Sequence, residues 1–239
     1  MSNFDFDFFK AINSMSNFSD EKLYKDRVKE LTKFVLNKHN AYYAYRLAIE
    51  LDRKNFSTNE LEDHIINISI SNVINNNRYL FMMALNVRGS NIKKLQQAVI
   101  NTKNPDLMAE FCCFVKGCDA DLLEKLIIDH KIPRASYIII RFLNNCQIDK
   151  HKKILIKSRK SRYLYACALK SNSIEELRII EDLIIKNRSH YYVRLMATLP
   201  NADIEKLENR IIASENFEEI RKMYQITKTS RLAKYVLLM

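Results

Sequence analysis

The chain repeats itself at an interval of 28 residues. Segment 91–100 returns as segment 119–128 and again as segment 148–156, each ending in a pair of large aliphatic residues. A fixed period of this length is typical of proteins built from stacked structural repeats. Other positions keep the same interval, and we expect each set to be structurally equivalent and the last set to be buried: Gly89 and Gly117; Pro105 and Pro133; Tyr137 and Tyr165; Ala84, Cys112, Ile140 and Ala168.

Each copy predicts two short helices. Apolar residues at positions i, i+3, i+7 and i+8 of segment 92–100 form one stripe on the first helix. Segment 107–115 is apolar on most sides, which predicts a second helix with neighbours on several faces. Helix starts are predicted by two capping boxes and by one proline in the first turn, namely Ser57 with Glu60, Ser173 with Glu176, and Asn104-Pro105.

These observations predict an all-α fold. Two glycines and three prolines in 239 residues are too few for sandwiches, barrels or dinucleotide-binding sheets, which need many tight turns. One 28-residue hairpin cannot bury its own apolar face, so the hairpins must stack. We therefore expect a single superhelical domain, an α-solenoid of about seven helical hairpins, with Ile128 and Ile156 among its core residues.

We expect three parts in this domain. Residues 1–19 form an N-terminal cap or docking segment, 20–226 the helical-repeat domain, and 227–239 a C-terminal cap helix. An open solenoid end exposes apolar surface, and a terminal cap covers it. The residues expected to cover the two ends are Phe4, Phe8, Ile12 and Met15 at the first, and Leu232, Tyr235 and Val236 at the second.

The repeat pattern resembles a known class of proteins. Gly-x-(Asn/Asp)-(Ile/Ala)-x-x-Leu followed by an aliphatic pair, at 89–100 and 117–128, is similar to short helical-hairpin repeats of the HEAT-like kind. It also resembles repeats in uncharacterised proteins of phages and large DNA viruses. The resemblance covers roughly residues 20–226, although the period is shorter than those of the common helical repeats. It implies a binding scaffold and transfers no catalytic residue.

No residue pattern predicts catalysis, a cofactor or a metal site. The five histidines are dispersed and match no metal-ligand spacing. Cys112 shares its register with small apolar residues, which predicts a buried and unreactive thiol rather than a nucleophile. Gly89 and Gly117 are single glycines, so we expect helix ends with positive φ rather than a phosphate-binding loop.

The positive charge is concentrated in the second half of the chain. Residues 1–120 carry 16 basic and 14 acidic residues, whereas 121–239 carry 23 and 14, which accounts for most of the net charge of +11. A basic run followed by tyrosines suggests phosphate contacts with base stacking, and a solvated helix end is the alternative. The candidate polyanion-binding residues are Lys150, Lys152, Lys153, Lys157, Arg159, Lys160, Arg162, Tyr163 and Tyr165.

The sequence predicts a protein that binds and does not catalyse. The leading hypothesis is a scaffold, or an inhibitor of a host factor, that holds a protein partner on its superhelical surface. The alternative is sequence-tolerant nucleic-acid binding through the basic second half. Five cysteines without a framework spacing and an acidic rather than basic N-terminus predict an intracellular, reducing location. No apolar stretch reaches 18 residues, so we expect no membrane partner.

Overall fold

The computed structural model describes Phe8 and residues 10–14, 21–38, 40–70 and 76–237, and these residues form helices and short connections without any strand. The all-α class predicted from the sequence is confirmed. No helix in these ranges is long and apolar enough to cross a membrane. The helices are α1 (Glu21–Leu36), α2 (Ala41–Arg53), α3 (Asn59–Ile70), α4 (Arg78–Asn86), α5 (Ile92–Asn101), α6 (Pro105–Phe114), α7 (Ala120–His130), α8 (Pro133–Phe142), α9 (Ile148–Ser158), α10 (Ser161–Ala168), α11 (Ile174–Lys186), α12 (His190–Met196), α13 (Ile204–Ile212), α14 (Phe217–Thr227) and α15 (Ser230–Leu237).

The helix boundaries carry the 28-residue interval. Helices α5, α7 and α9 begin at Ile92, Ala120 and Ile148, and α6, α8 and α10 begin 13 residues after each of them. We call the odd-numbered helices from α1 to α13 first helices, and we call the even-numbered helices from α2 to α14 second helices. The interval is less regular from α11 onward, since α11 begins 26 residues after α9 and α13 begins 30 after α11.

The predicted helix starts are confirmed at two of three places. Asn104 Oδ1 accepts the backbone N–H groups of the first turn of α6, whose first residue is proline. Ser173 Oγ accepts the N–H of Glu176 at 3.0 Å, as the capping box requires. The capping box predicted at Ser57 is wrong, because α3 begins at Asn59 and Ser57 Oγ accepts the N–H of Asn59 instead of the N–H of Glu60.

The turns differ from the sequence prediction. Gly117 has φ of +81°, as expected, but Gly89 has no positive φ, so the prediction for that glycine is wrong. The left-handed residues that join first to second helices are not glycines. They follow α5, α7, α9, α11 and α13, are all exposed, and are mostly cations: Lys103, Lys131, Arg159, Arg188 and Glu215.

The chain divides into two compact units, Met1–Leu126 (unit 1) and Ile127–Met239 (unit 2), and the division falls inside α7. Within unit 1, second helices α2, α4 and α6 pack in sequence, as do first helices α1, α3 and α5. Within unit 2, second helices α8, α10, α12 and α14 pack in sequence, and α11 packs on α13. Each hydrophobic core therefore lies between a row of first helices and a row of second helices.

The core uses one member of each aliphatic pair. Ile127 and Leu155 are fully buried, whereas Ile128 and Ile156 are only half-buried, which corrects the expectation for those two residues. A first helix presents one apolar stripe to the core. Two residues adjacent in sequence are rotated by 100° around the helix, so both cannot lie at the centre of that stripe. Of the four equivalent second-helix positions, Cys112, Ile140 and Ala168 are buried and Ala84 is half-buried.

Apolar side chains near both ends of the chain are buried. The Phe8 ring lies 4.8 Å from the Tyr43 ring and 6.4 Å from the Phe34 ring, centroid to centroid, and Ile12 is also buried. Phe4 and Met15 lie outside the described residues. At the other end, Leu232 is buried and Val236 packs beside it, whereas Tyr235 is exposed and does not close the core.

A buried polar side chain recurs on the first helices and bonds the N-terminal end of the following first helix. The acceptor oxygens of these side chains lie 2.7–2.9 Å from backbone nitrogens. Each bond satisfies an N–H beside a helix start that would otherwise lack a partner. The pairs are Glu62 with Asn91, Gln96 with Asp119, and Glu181 with Asp203.

Candidate functional site

The predicted basic run does not form one continuous patch. Lys150 lies in the first turn of α9, where its Nζ donates to Gln147 Oε1 at 2.6 Å, and Lys153 is exposed along the helix. Lys157, Arg159 and Lys160 lie at the other end of α9, roughly 10 Å further along at 1.5 Å per residue. The structure therefore separates the start of the run from its end.

Lys152 is not available to a ligand. Its side chain is buried, and its Nζ lies 2.8 Å from Glu176 Oε2, which also accepts from Ser171 Oγ at 2.9 Å. Lys152 stands two intervals after Gln96, at the recurring buried polar position of the first helices. This lysine thus takes part in the contact between repeats, and we remove it from the candidate residues.

Tyr163 is also buried, and its role is to hold a neighbouring cation. Arg162 Nη2 donates to the Tyr163 hydroxyl at 2.6 Å, and the guanidinium carbon lies 4.5 Å from the ring centroid. The same ring packs on Tyr137 at 5.3 Å. This hydrogen bond raises the pKa of Arg162, which is a permanent cation. Tyr163 therefore orients Arg162 and offers no exposed face to a base.

A groove of about 390 Å³ runs along second helices α8, α10 and α12 of unit 2. On α10, residues 162, 165 and 166 face it because positions three and four apart share one side of a helix, and Leu169 continues this side just after the helix ends. Among these described lining residues there is no carboxylate. The lining residues are Tyr137, Ile140, Arg141, Arg162, Tyr165, Ala166, Leu169, Lys170, Tyr191, Tyr192 and Leu195.

Tyrosine rings form much of the wall of this groove. The Tyr165 ring lies 6.2 Å from the Tyr192 ring, which lies 5.1 Å from the Tyr191 ring in an edge-on arrangement. Tyr191 is 57% exposed, whereas Tyr137, Tyr165 and Tyr192 are half-buried. Burial raises the pKa of Tyr192, so its phenol is neutral at physiological pH.

The cations of the groove lack acidic partners. Arg141 Nη1 donates to the Tyr137 hydroxyl at 2.9 Å, and its guanidinium carbon lies 5.9 Å from the Tyr137 ring centroid. Within the described part of the chain, Arg141, Arg162 and Lys170 form no ion pair with a carboxylate. Their charges are therefore free to meet an anion that enters the groove.

A second group of cations lies at the turns that lead into α10 and α12. Asn187 Nδ2 donates to the Arg159 carbonyl at 2.5 Å and to Ser161 Oγ at 3.0 Å, which holds the two turns together. Residues 130–174 contain eleven basic residues and a single acidic one, Asp149. We call the exposed cations of these turns the basic edge: Lys157, Arg159, Lys160, Lys186 and Arg188.

Among the described residues, the cysteines and histidines form no site comparable with the groove. Cys112 is buried as predicted, and burial raises the pKa of its thiol far above the usual range. Burial also raises the pKa of Cys167 to about 12. No group of three possible metal ligands exists among the described residues. His39 lies outside them.

Five charged or aromatic residues of the groove were not among the sequence candidates: Tyr137, Arg141, Lys170, Tyr191 and Tyr192. One signal was present, because Tyr137 and Tyr165 keep the 28-residue interval and Arg141 follows Tyr137 by four residues on the same helix face. Tyr191 stands 28 residues after Tyr163, but α12 begins 29 residues after α10. The position equivalent to Tyr163 is therefore Tyr192, and the interval alone does not place Tyr191 in the groove.

No protein-family model, curated protein or solved structure matches the chain. The resemblance to hairpin repeats of phages and large DNA viruses stays an expectation from the sequence.

Proposed function

We propose that this protein is a non-catalytic α-solenoid of seven helical hairpins that binds nucleic acid through unit 2. Support for the architecture comes from seven successive pairs of first and second helices, α1–α2 to α13–α14. Within each unit the second helices pack in sequence, which is the arrangement that stacked hairpins require. The 28-residue interval between α5 and α10 adds to that support.

The observation that carries the proposal is a group of exposed cations on unit 2 that form no ion pair with a carboxylate among the described residues. The groove contributes three of them, Arg141, Arg162 and Lys170, and the basic edge contributes five more. A phosphate backbone neutralised by such cations releases condensed counterions, and this release supplies most of the affinity of sequence-tolerant binding. A polyanion therefore fits this surface better than a partner of mixed charge.

A protein partner is the second candidate. Leu169 and Tyr191 are both more than half exposed and lie beside Arg162 in the groove, and Tyr and Arg are enriched among residues that dominate protein interfaces. The uniform positive charge requires that such a partner present an acidic segment. The scaffold hypothesis drawn from the sequence is thereby narrowed to an acidic partner.

The test is the salt dependence of binding to a labelled single-stranded oligonucleotide, measured by fluorescence anisotropy. We expect a slope that corresponds to about four or more phosphate contacts. The triple variant Lys157→Gln, Arg159→Gln, Lys160→Gln should flatten the slope by roughly two to three units, because each lost contact removes close to one released counterion. These residues are exposed, so the melting temperature should change little.

A matched control lies in unit 1. Lys54, Lys93 and Lys116 are exposed, and the triple change to Gln alters the net charge by the same amount. This control should bind like the unmodified protein. Binding weaker than about 10⁻⁴ M at physiological salt, or equal slopes for the two triple variants, would refute nucleic-acid binding at this edge. The acidic protein partner would then be the remaining candidate.

A further inference from the structure

We infer that the groove of unit 2 is a stacking platform for unpaired bases, so that the ligand is a single strand rather than a duplex. This inference rests on the proposed nucleic-acid binding and goes beyond it. The basic edge explains affinity for any polyanion. The tyrosine rings of the groove need a different explanation, because phosphates gain nothing from aromatic surface.

The tyrosine rings lie on neighbouring second helices and face one groove. Tyr137 on α8 and Tyr165 on α10 occupy the fifth position of their helices, one 28-residue interval apart. Each packs on the third residue of the next second helix, Tyr163 and Tyr192, at 5.3 and 6.2 Å between centroids. Neighbour rings thus fix Tyr137 and Tyr165, and ordering them on binding costs little side-chain entropy.

Tyr191 supplies the exposed face. It is 57% exposed and meets Tyr192 at 5.1 Å with an interplanar angle of 82°, so the two rings are not stacked face to face. Exposure of an aromatic ring to water is unfavourable, and the ring is stabilised when another flat ring covers it. Stacking of bases on aromatic side chains is tolerant of sequence, because every base has a π-face.

The cations are placed to accompany a base. The guanidinium carbons of Arg141 and Arg162 lie 5.9 and 5.8 Å from the Tyr137 ring centroid, so positive charge and aromatic surface adjoin within one groove. A nucleotide carries a group that matches each feature: its flat base can stack on the aromatic surface, and its phosphate can pair with the cations. A duplex cannot use the groove in this way, because its bases are paired and stacked inside the helix. A volume of about 390 Å³ is within the range of pockets that hold small ring-containing ligands.

The experiment compares three probes: a single-stranded oligonucleotide of about 12 nucleotides, the duplex of the same length, which carries twice the charge, and inorganic polyphosphate with the same charge as the single strand. We expect the single strand to bind tightest and Tyr191→Ala to weaken it roughly 5- to 100-fold, which corresponds to the loss of one stacked base. Tyr191→Phe keeps the ring and should restore the affinity. Polyphosphate binding should be unchanged in both variants.

Tyrosine fluorescence gives a second, independent readout. The chain has 12 tyrosines and no tryptophan, so its emission reports on tyrosine alone. The single strand should quench part of this emission in the unmodified protein and less of it in Tyr191→Ala, whereas polyphosphate should not quench it. Tyr235→Ala is the matched control, since Tyr235 is a partly exposed tyrosine on α15 that does not line the groove.

The outcomes separate this inference from the proposed function. Equal affinity for the single strand and polyphosphate, with Tyr191→Ala unchanged, overturns the stacking platform and leaves polyanion binding intact. Equal losses for Tyr191→Phe and Tyr191→Ala also overturn it, because the ring would then not be the group that matters. If the unmodified protein binds none of the three probes, the proposed function fails and the inference fails with it.

Discussion

The two units have similar helical architecture and different surfaces. Unit 1 carries 17 basic and 16 acidic residues, whereas unit 2 carries 22 and 12, so the net charge rises from +1 to +10. Both units contain ion pairs between different helices or turns. In unit 1, Arg88 bonds Asp52 and Lys94 bonds Asp63. Unit 2 has such pairs as well, but its groove cations have no carboxylate partner among the described residues, which sets the groove apart from the rest of that surface.

The hollows of the two units lead to the same conclusion. A hollow of about 480 Å³ in unit 1 lies against first helix α1 and mixes Lys29 and Lys33 with Glu60. Aromatic contacts between second helices exist in unit 1 too, since the rings of Tyr45 and Tyr79 are 5.7 Å apart. These contacts therefore belong to the repeat architecture. In the groove of unit 2, such contacts adjoin cations that form no ion pair among the described residues.

The largest expected effect tests what the two units share. Leu95 on α5 and Leu155 on α9 are both fully buried core leucines of first helices. Changing either to alanine should cost about 2–5 kcal/mol in the free energy of unfolding, through the lost transfer energy and the cavity. Ile156→Ala should cost less, because Ile156 is half-buried. Chemical denaturation of the three variants measures the difference.

Hydrogen exchange shows whether the effect of Leu155→Ala spreads through stacked repeats. Helix α9 packs on α8 and α10, so exchange protection should fall in all three helices. Loss of protection in α9 alone would contradict stacking of the hairpins. An Ile156→Ala variant as destabilised as Leu155→Ala would contradict the assignment of the core stripe.

The next effect tests what the two units do not share. Changing Arg141 and Arg162 of the groove to Gln should weaken single-strand binding roughly 10- to 30-fold at physiological salt, as expected for two lost phosphate contacts. The matched variant changes Arg53 and Arg88 of unit 1, which are paired with Glu50 and Asp52. That variant should bind within about twofold of the unmodified protein. Equal losses would mean that net charge alone, and not the groove, sets affinity.

The sequence predicted the repeat better than the surface. Periodicity located helices, caps and most core positions because each depends on local spacing and burial. Lys152 was misplaced because a lysine in a basic run gives no local sign that it is buried. The 28-residue interval did contain that sign, since Gln96, Glu124 and Lys152 are equally spaced and all buried. Tyr191 and Tyr192 were missed because their position depends on how neighbouring second helices pack, which no single repeat encodes.

The smallest expected effect concerns the buried polar position that links successive first helices. Burial raises the pKa of Glu62, although its bond from the Asn91 N–H and the charge of Lys94 both oppose the shift. A carboxyl with a raised pKa in the folded state contributes stability that is fully present below its unfolded value of 4.5 and is lost as pH rises through the folded value. At neutral pH the ionised carboxylate of Glu62 thus lowers the free energy of unfolding relative to a neutral acceptor at the same position.

Gln96 occupies the same position in the next repeat, and its amide oxygen accepts the Asp119 N–H at 2.7 Å, so glutamine is compatible with this contact. Glu62→Gln should therefore not lower the melting temperature at pH 7, and its advantage over the unmodified protein should grow between pH 4 and pH 7. Glu181→Gln should lower the melting temperature at pH 7, because Glu181 is ion-paired with Arg178 at 2.8 Å as well as bonded to the Asp203 N–H. Thermal melts of both variants at the two pH values measure the difference. The opposite result would be a Glu62→Gln protein that is less stable at pH 7 than at pH 4, relative to the unmodified chain. It would show that the charge of Glu62 stabilises its contact in unit 1, as the charge of Glu181 is expected to do in unit 2.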